Sequence, residues 1–181
     1  ILFRLVGSEM CIRDREYAEK ISFIQNAVGA VPSPFDCYLL TRSIKTLSVR
    51  MKQHNENAIA VSNYLSNHPK IEKVFFPGTD KRHKEIAEKQ MDGFGGMMSF
   101  VIDSDINGVK TFLKNLNLFT LAESLGGVES LIEHPAIMTH ASIDPSIREK
   151  LGISETLLRI SVGIEDVDDL ISDLDQALSK I

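Results

Sequence analysis

Between Phe35 and Leu65 the apolar residues Leu40, Ile44, Leu47, Met51, Ala58, Val61 and Leu65 recur at intervals of three, four or seven. That spacing puts them on one face of a helix. Pro69 stands just beyond the end. At 1.5 Å per residue, about thirty helical positions reach roughly 45 Å, more than one small domain needs. A helix of that length is expected to link two bodies, and this constrains the rest of the chain.

Before it, Ala18, Ile21, Ile24 and Gln25 suit one side of a short helix closed by Gly29 and the prolines of VPSP, Pro32 and Pro34. After it, short apolar runs alternate with charged or amphipathic ones. Glu72–Phe76, Met97–Ile102, Leu118–Ala122 and Leu157–Gly163 read as strands. Lys81–Gln90 and Val109–Leu116 read as helices. A final helix opens on Glu165 and Asp166 and ends near Lys180, charges that suit its two ends. Without a strict strand–helix–strand rhythm, these elements predict a small, mostly antiparallel sheet covered on one face.

Composition narrows the function classes. Twenty-five acids against twenty basic residues give a net charge of −5, which lacks the footprint of a dedicated nucleic-acid binder. No apolar run approaches the length of a membrane span, about eighteen residues or more. Cys11 and Cys37 are too few for a disulfide framework and point to a reducing compartment, taken as the cytoplasm. Residues 1–15, ILFRLVGSEMCIRDR, begin without Met, hold no long period and lack the apolar core of a signal peptide. Their LVGSEMCIRDR resembles translated sequencing adaptor, so they are expected to be a non-native leader on a fragment.

Four groups invite chemistry. GFGG (Gly93–Gly96) precedes a strand, whereas a phosphate-cradling loop follows one and opens a helix, so it reads as a strand entry. His54, His68, His83, His134 and His140 contain no pair at zinc-helix spacing, and no metal site is expected. In LLRISVG, alternation puts Leu158, Ile160 and Val162 on one face and Arg159 and Ser161 on the other. A mid-strand arginine needs an anion to offset its desolvation. Its fork fits a carboxylate, but spacing alone leaves open a ligand's carboxylate, an internal acid or solvent. Finally, Gly126 and Gly127 permit tight backbone geometry beside Glu123 and Ser124, and Thr139, His140 and Ser142 return at a loop. Composition does not separate a ligand loop there from an ordinary connection.

Longer strings carry more. QNAVGAVPSPFDCYLLTRSIKTLSVRM, VFFPG, FGGMMSF, FTLAESLGGVESLIEHPAIMTHAS and LGISETLLRISVGIEDVDDLISDLDQAL, in that order, cover nearly everything after residue 16. Together they resemble the C-terminal portion of the cystathionine gamma-lyase and gamma-synthase group, the pyridoxal 5'-phosphate enzymes of Cys/Met metabolism. The resemblance implies an α/β protein of the fold-type-I transferase architecture. Residues 16–35 would end the large cofactor domain, 36–68 would form the linking helix, and 69–181 would be a small α+β C-terminal domain. It implies a cytoplasmic homotetramer with small amino-acid substrates: cystathionine, homocysteine or cysteine, or an acyl-homoserine.

By the same resemblance, Arg159 takes the substrate carboxylate and Ser124 helps position the cofactor lysine. Glu123 meets the distal amino group of the substrate, and Thr139 lies near the substrate channel. An acid at 123 favours cystathionine or a homoserine ester over methionine gamma-lyase or homoserine sulfhydrylase activity. The family's cofactor lysine and ring-binding residues have no matching position here, and Lys45 in SIKTL lies on the helix beyond that lysine. The 181 residues by themselves are thus expected to be inactive, the enzyme being a full-length parent. A truncated, non-catalytic binding subunit is the competing reading.

Overall fold

The structure, a computed structural model, describes residues 15–79 and 84–181, with side chains from residue 17. The proposed leader up to residue 14, Cys11 and His83 lie outside the described residues. Helices α1 (Arg15–Val28), α2 (Pro34–Ile44) and α3 (Leu47–Asn67) come first. Then follow β1 (Ile71–Phe75), α4 (Lys84–Gln90), β2 (Met97–Ile102), α5 (Ile106–Asn115), β3 (Thr120–Leu121), β4 (Leu131–Glu133), α6 (Pro145–Lys150), β5 (Leu157–Ser161) and α7 (Val167–Leu178).

The single long helix expected from about 36 to 68 is instead two. Lys45 and Thr46 form a turn, and both the amide and the hydroxyl of Thr46 donate to the Ser43 carbonyl, at 3.2 Å each. A hydroxyl that competes for a main-chain acceptor favours such a break. The chain also separates there into two compact units, ending at Thr46 and beginning at Leu47. In the first, α1 ends at Gly29, whose φ of 67° suits glycine, and α2 starts on a reciprocal cap between Ser33 and Asp36. Its apolar residues Phe23, Phe35 and Leu40 are exposed.

The second unit is a five-stranded sheet of order β1-β2-β5-β4-β3. Pairs β1–β2, β2–β5 and β4–β5 are antiparallel, and β3–β4 is parallel. Alternation along β2 and β5 turns Met98, Phe100, Ile102, Leu158, Ile160 and Val162 to one side. Ala58, Val61 and Leu65 of α3, Val109 and Phe112 of α5, and Leu170, Leu174, Ala177 and Leu178 of α7 close over them in one core. The apolar stripe of α3 is therefore only half used, since Leu47 and Met51 at its start remain exposed.

Asp173 of α7 joins the core helices to the β3 approach. Buried, its carboxylate accepts from the amides of Asn117 and Leu118, both at 2.8 Å, and of Phe119 at 3.2 Å. Burial alone would raise its pKa, but the amides of Leu118, Asn117 and Phe119 outweigh it and hold the carboxyl below its ordinary 3.8. A depressed folded pKa stabilises above the unfolded value and loses that contribution as pH falls through the folded one. Asp173→Asn is expected to cost about 1–3 kcal/mol at pH 7. The gap from wild type should narrow below pH 3.8. Urea unfolding of both proteins across that range checks it, and a constant gap contradicts it.

Candidate functional site

Parallel pairing of β3 with β4 obliges the intervening chain to return to the same end of the sheet. Residues 122–130 make that return, and they carry Glu123 and Ser124 on an exposed loop. The polar face of β5 holds the loop. The amide of Gly126, at φ 77°, donates to Ser161 Oγ at 2.8 Å, and Arg159 Nη2 donates to the Glu123 carbonyl at 3.2 Å. Arg159 and Ser161 share the face that alternation assigns them, opposite buried Leu158, Ile160 and Val162.

The other end of the loop is fixed just as firmly. Ser130 Oγ donates to Glu165 Oε2 at 2.9 Å and accepts the Gly163 amide at 2.8 Å, while the Ile164 amide donates to the Val128 carbonyl at 2.9 Å. A Cβ on Gly163 would stand 2.4 Å from the Val128 carbonyl oxygen, so the strand exit must be bare. Helix α3 ties down the same exit through two side chains. Asn57 Nδ2 donates to the carbonyls of Gly163 and Glu165, and His54 Nδ1 donates to that of Val162 at 2.7 Å. The acceptor is a carbonyl, so the ring proton sits on Nδ1.

Arg159 has an internal acid beside it. Glu133, only 1% exposed, stands opposite Arg159 in the β4–β5 register, and its Oε2 pairs with Arg159 Nη2. Its Oε1 accepts from Thr139 Oγ1, and that hydroxyl lies 2.8 Å from His140 Nδ1. The turn bearing Thr139 is itself held by the His140 amide on the Pro135 carbonyl at 2.9 Å and by Arg148 Nη1 on that of Ala136. The Arg159 side chain nevertheless stays 26% exposed, so the guanidinium reaches solvent beside the loop. The structure thus gathers Arg159, the Glu123 backbone, Ser124 and Thr139 over the polar face of the central strand β5. Glu123 is exposed, and Arg159 holds its backbone carbonyl.

Sequence reasoning missed Glu133. It occupies the last position of a three-residue strand, Leu131–Glu133, whose residues are all buried, so no alternation marks it. His134 is also buried, with Nε2 at 2.7 Å from the Glu155 carbonyl. GFGG does precede β2, and a Cβ on Gly96 would stand 2.8 Å from the Val162 carbonyl oxygen. Close strand packing therefore accounts for that glycine. Among the described residues no His, Cys, Asp and Glu cluster could hold a metal ion, and no helix is long and apolar enough to cross a membrane.

Comparison with known proteins shows the family. The profile of the Cys/Met metabolism PLP-dependent enzyme family matches residues 4–179. Cystathionine gamma-lyase of Dictyostelium discoideum is 55% identical over 168 residues, 92% of this chain and 43% of the relative. Cystathionine beta-lyase of Coxiella burnetii is 49% identical over 176 residues, 96% of this chain and 46% of its own. Cystathionine gamma synthase from Xanthomonas oryzae pv. oryzae, solved in complex with cystathionine, superposes with a TM-score of 0.83 at 45% identity, over 93% of this chain and 44% of that one. The chain spans less than half the length of each. Pyridoxal phosphate needs a phosphate cradle and a ring partner, and GFGG supplies neither. On sequence and fold together, the chain belongs to the Cys/Met metabolism PLP-dependent enzyme family, whose matching relatives are fold-type-I enzymes.

Proposed function

We propose that this chain is the C-terminal part of a cytoplasmic, homotetrameric enzyme that cleaves or forms cystathionine, and that it supplies the substrate-facing wall of the active site. Arg159 carries the reading: a mid-strand guanidinium paired with Glu133, partly exposed, and otherwise held only by the Glu123 carbonyl of the loop bearing Ser124. When bound, the cofactor ring serves as electron sink for the substrate carbanion. This chain's part is to bind and orient. Arg159 takes the substrate α-carboxylate, Glu123 meets a distal amino group, Ser124 helps position the cofactor lysine, and Thr139 borders the approach.

A bidentate carboxylate needs a paired edge of the fork, and both contacts of Arg159 fall on Nη2. The incoming carboxylate therefore displaces the Glu123 carbonyl. That exchange replaces one bond to a neutral carbonyl by two parallel bonds to an anion, the geometry in which arginine–carboxylate pairs are strong.

The test is a steady-state assay of the full-length parent with cystathionine, and separately with an acylated homoserine plus cysteine, with the 181-residue chain assayed in parallel. Turnover of either substrate pair by the parent alone is expected. Activity only on methionine, or none, would move the assignment to a methionine gamma-lyase or to a binding subunit.

A further inference from the structure

An arginine that must present one edge of its fork to a substrate has to be held by another part of the same group. Arg159 sits on β5 between β2 and β4, with Ser99 and Glu133 as its cross-strand neighbours. Ser99 carries no charge. Glu133 does, and its carboxylate is almost wholly removed from solvent. One oxygen faces Arg159 and the other accepts from Thr139. Oε1 is tied by the Thr139 hydroxyl while Oε2 meets Arg159 through the ion pair alone, so the carboxylate is held from the Thr139 side and sets its charge against the guanidinium.

From this geometry we infer that Glu133 is a positioning residue for substrate capture and that Thr139 acts through it. The inference rests on the proposed role of Arg159 and refines that of Thr139. The Thr139 hydroxyl is spent inside the protein, donating to Glu133 and lying beside His140, so the direction of the chain of contacts is Thr139, Glu133, Arg159, substrate. Thr139 sits on the exposed turn after β4, where losing a hydroxyl does not open the core. A buried acid at 133 also excludes a second anion behind the guanidinium, leaving the solvent edge as the place where an external carboxylate can add.

Kinetics of the full-length holoenzyme test this. Glu133→Gln keeps size and one acceptor oxygen but loses the charge; it should raise KM for the amino-acid substrate about 10- to 100-fold with a much smaller change in kcat. Thr139→Val keeps shape and loses the hydroxyl, and should raise KM about 3- to 10-fold, with Thr139→Ser recovering most of the loss. Because both act through one path, the double variant should be no worse than Glu133→Gln by more than about 2-fold. Should Glu133→Gln fail to fold, Glu133→Asp and the Thr139 pair carry the same comparison. Cofactor absorbance and melting temperature on each preparation confirm an intact fold. Thr139→Val multiplying in full onto Glu133→Gln would show a direct contact with substrate and overturn the inference, as would wild-type KM in Glu133→Gln. Arg159→Ala separates the two levels: unchanged KM there refutes the role of Arg159 itself, whereas raised KM with silent Glu133 and Thr139 variants refutes only the positioning path.

Discussion

Arg159→Ala in the full-length parent is expected to lower kcat/KM about 30-fold to several thousand-fold, the cost of a partly buried, charge-assisted contact to the substrate carboxylate. The same change should destabilise the fold, because it leaves Glu133 charged and 1% exposed without its cation. Removing one partner of a buried pair costs about 3–5 kcal/mol; with Arg159 26% exposed, solvent screens the pair and about 2–3 kcal/mol is expected. The two losses separate in the double variant Arg159→Ala/Glu133→Leu, which discards the orphaned charge. Stability should largely return while kcat/KM stays low. Arg159→Lys keeps the charge but not the planar fork, and recovers only part of the activity. A purely structural arginine would instead give normal kcat/KM per folded molecule in Arg159→Ala.

Phe112→Ala carries the second large effect, on stability alone. The ring is fully buried beneath α5 and meets Phe100 of β2 edge to face, with centroids 6.2 Å apart. Truncation removes that contact and leaves a cavity between sheet and helices, for a loss of about 3–5 kcal/mol. Ile86→Ala on exposed α4 is the control, expected within about 0.5 kcal/mol of wild type. Denaturant titration of the three proteins checks this. Equal losses at both positions would mean that the sheet and its helices do not form one core.

Elements with a strong local signal were legible before any coordinates. Met97–Ile102 alternates and is a strand of those bounds; Asp166 does cap the last helix, accepting from the amides of Asp168 and Asp169. Glu165, expected beside it for the same helix, turns instead to the Ser130 amide at 2.6 Å and serves the site loop. The break at Lys45–Thr46 was not legible, because Ile44, Leu47 and Met51 keep helical spacing straight through it. Periodicity reports residue spacing, and a two-residue turn that preserves the spacing leaves no mark in it. The three-residue strand Leu131–Glu133 and the helix Pro145–Lys150 were likewise too short for a period to show.

The site divides along the same line. Alternation in LLRISVG set Arg159 and Ser161 on one face and the core residues on the other, because a strand's two-residue repeat is local covalent geometry. The long ordered motifs identified the family and named Glu123, Ser124, Thr139 and Arg159. Which anion stands behind the arginine was a different kind of question. Glu133 lies 26 positions away in the chain, with nothing in its neighbours to single it out from 24 other acids. Only the β4–β5 register brings the two face to face, since antiparallel pairing couples residues by their place in the sheet and not by their distance in sequence. Tertiary structure alone, therefore, decided that the guanidinium is paired with one buried carboxylate while its side chain stays partly exposed beside the Glu123 carbonyl.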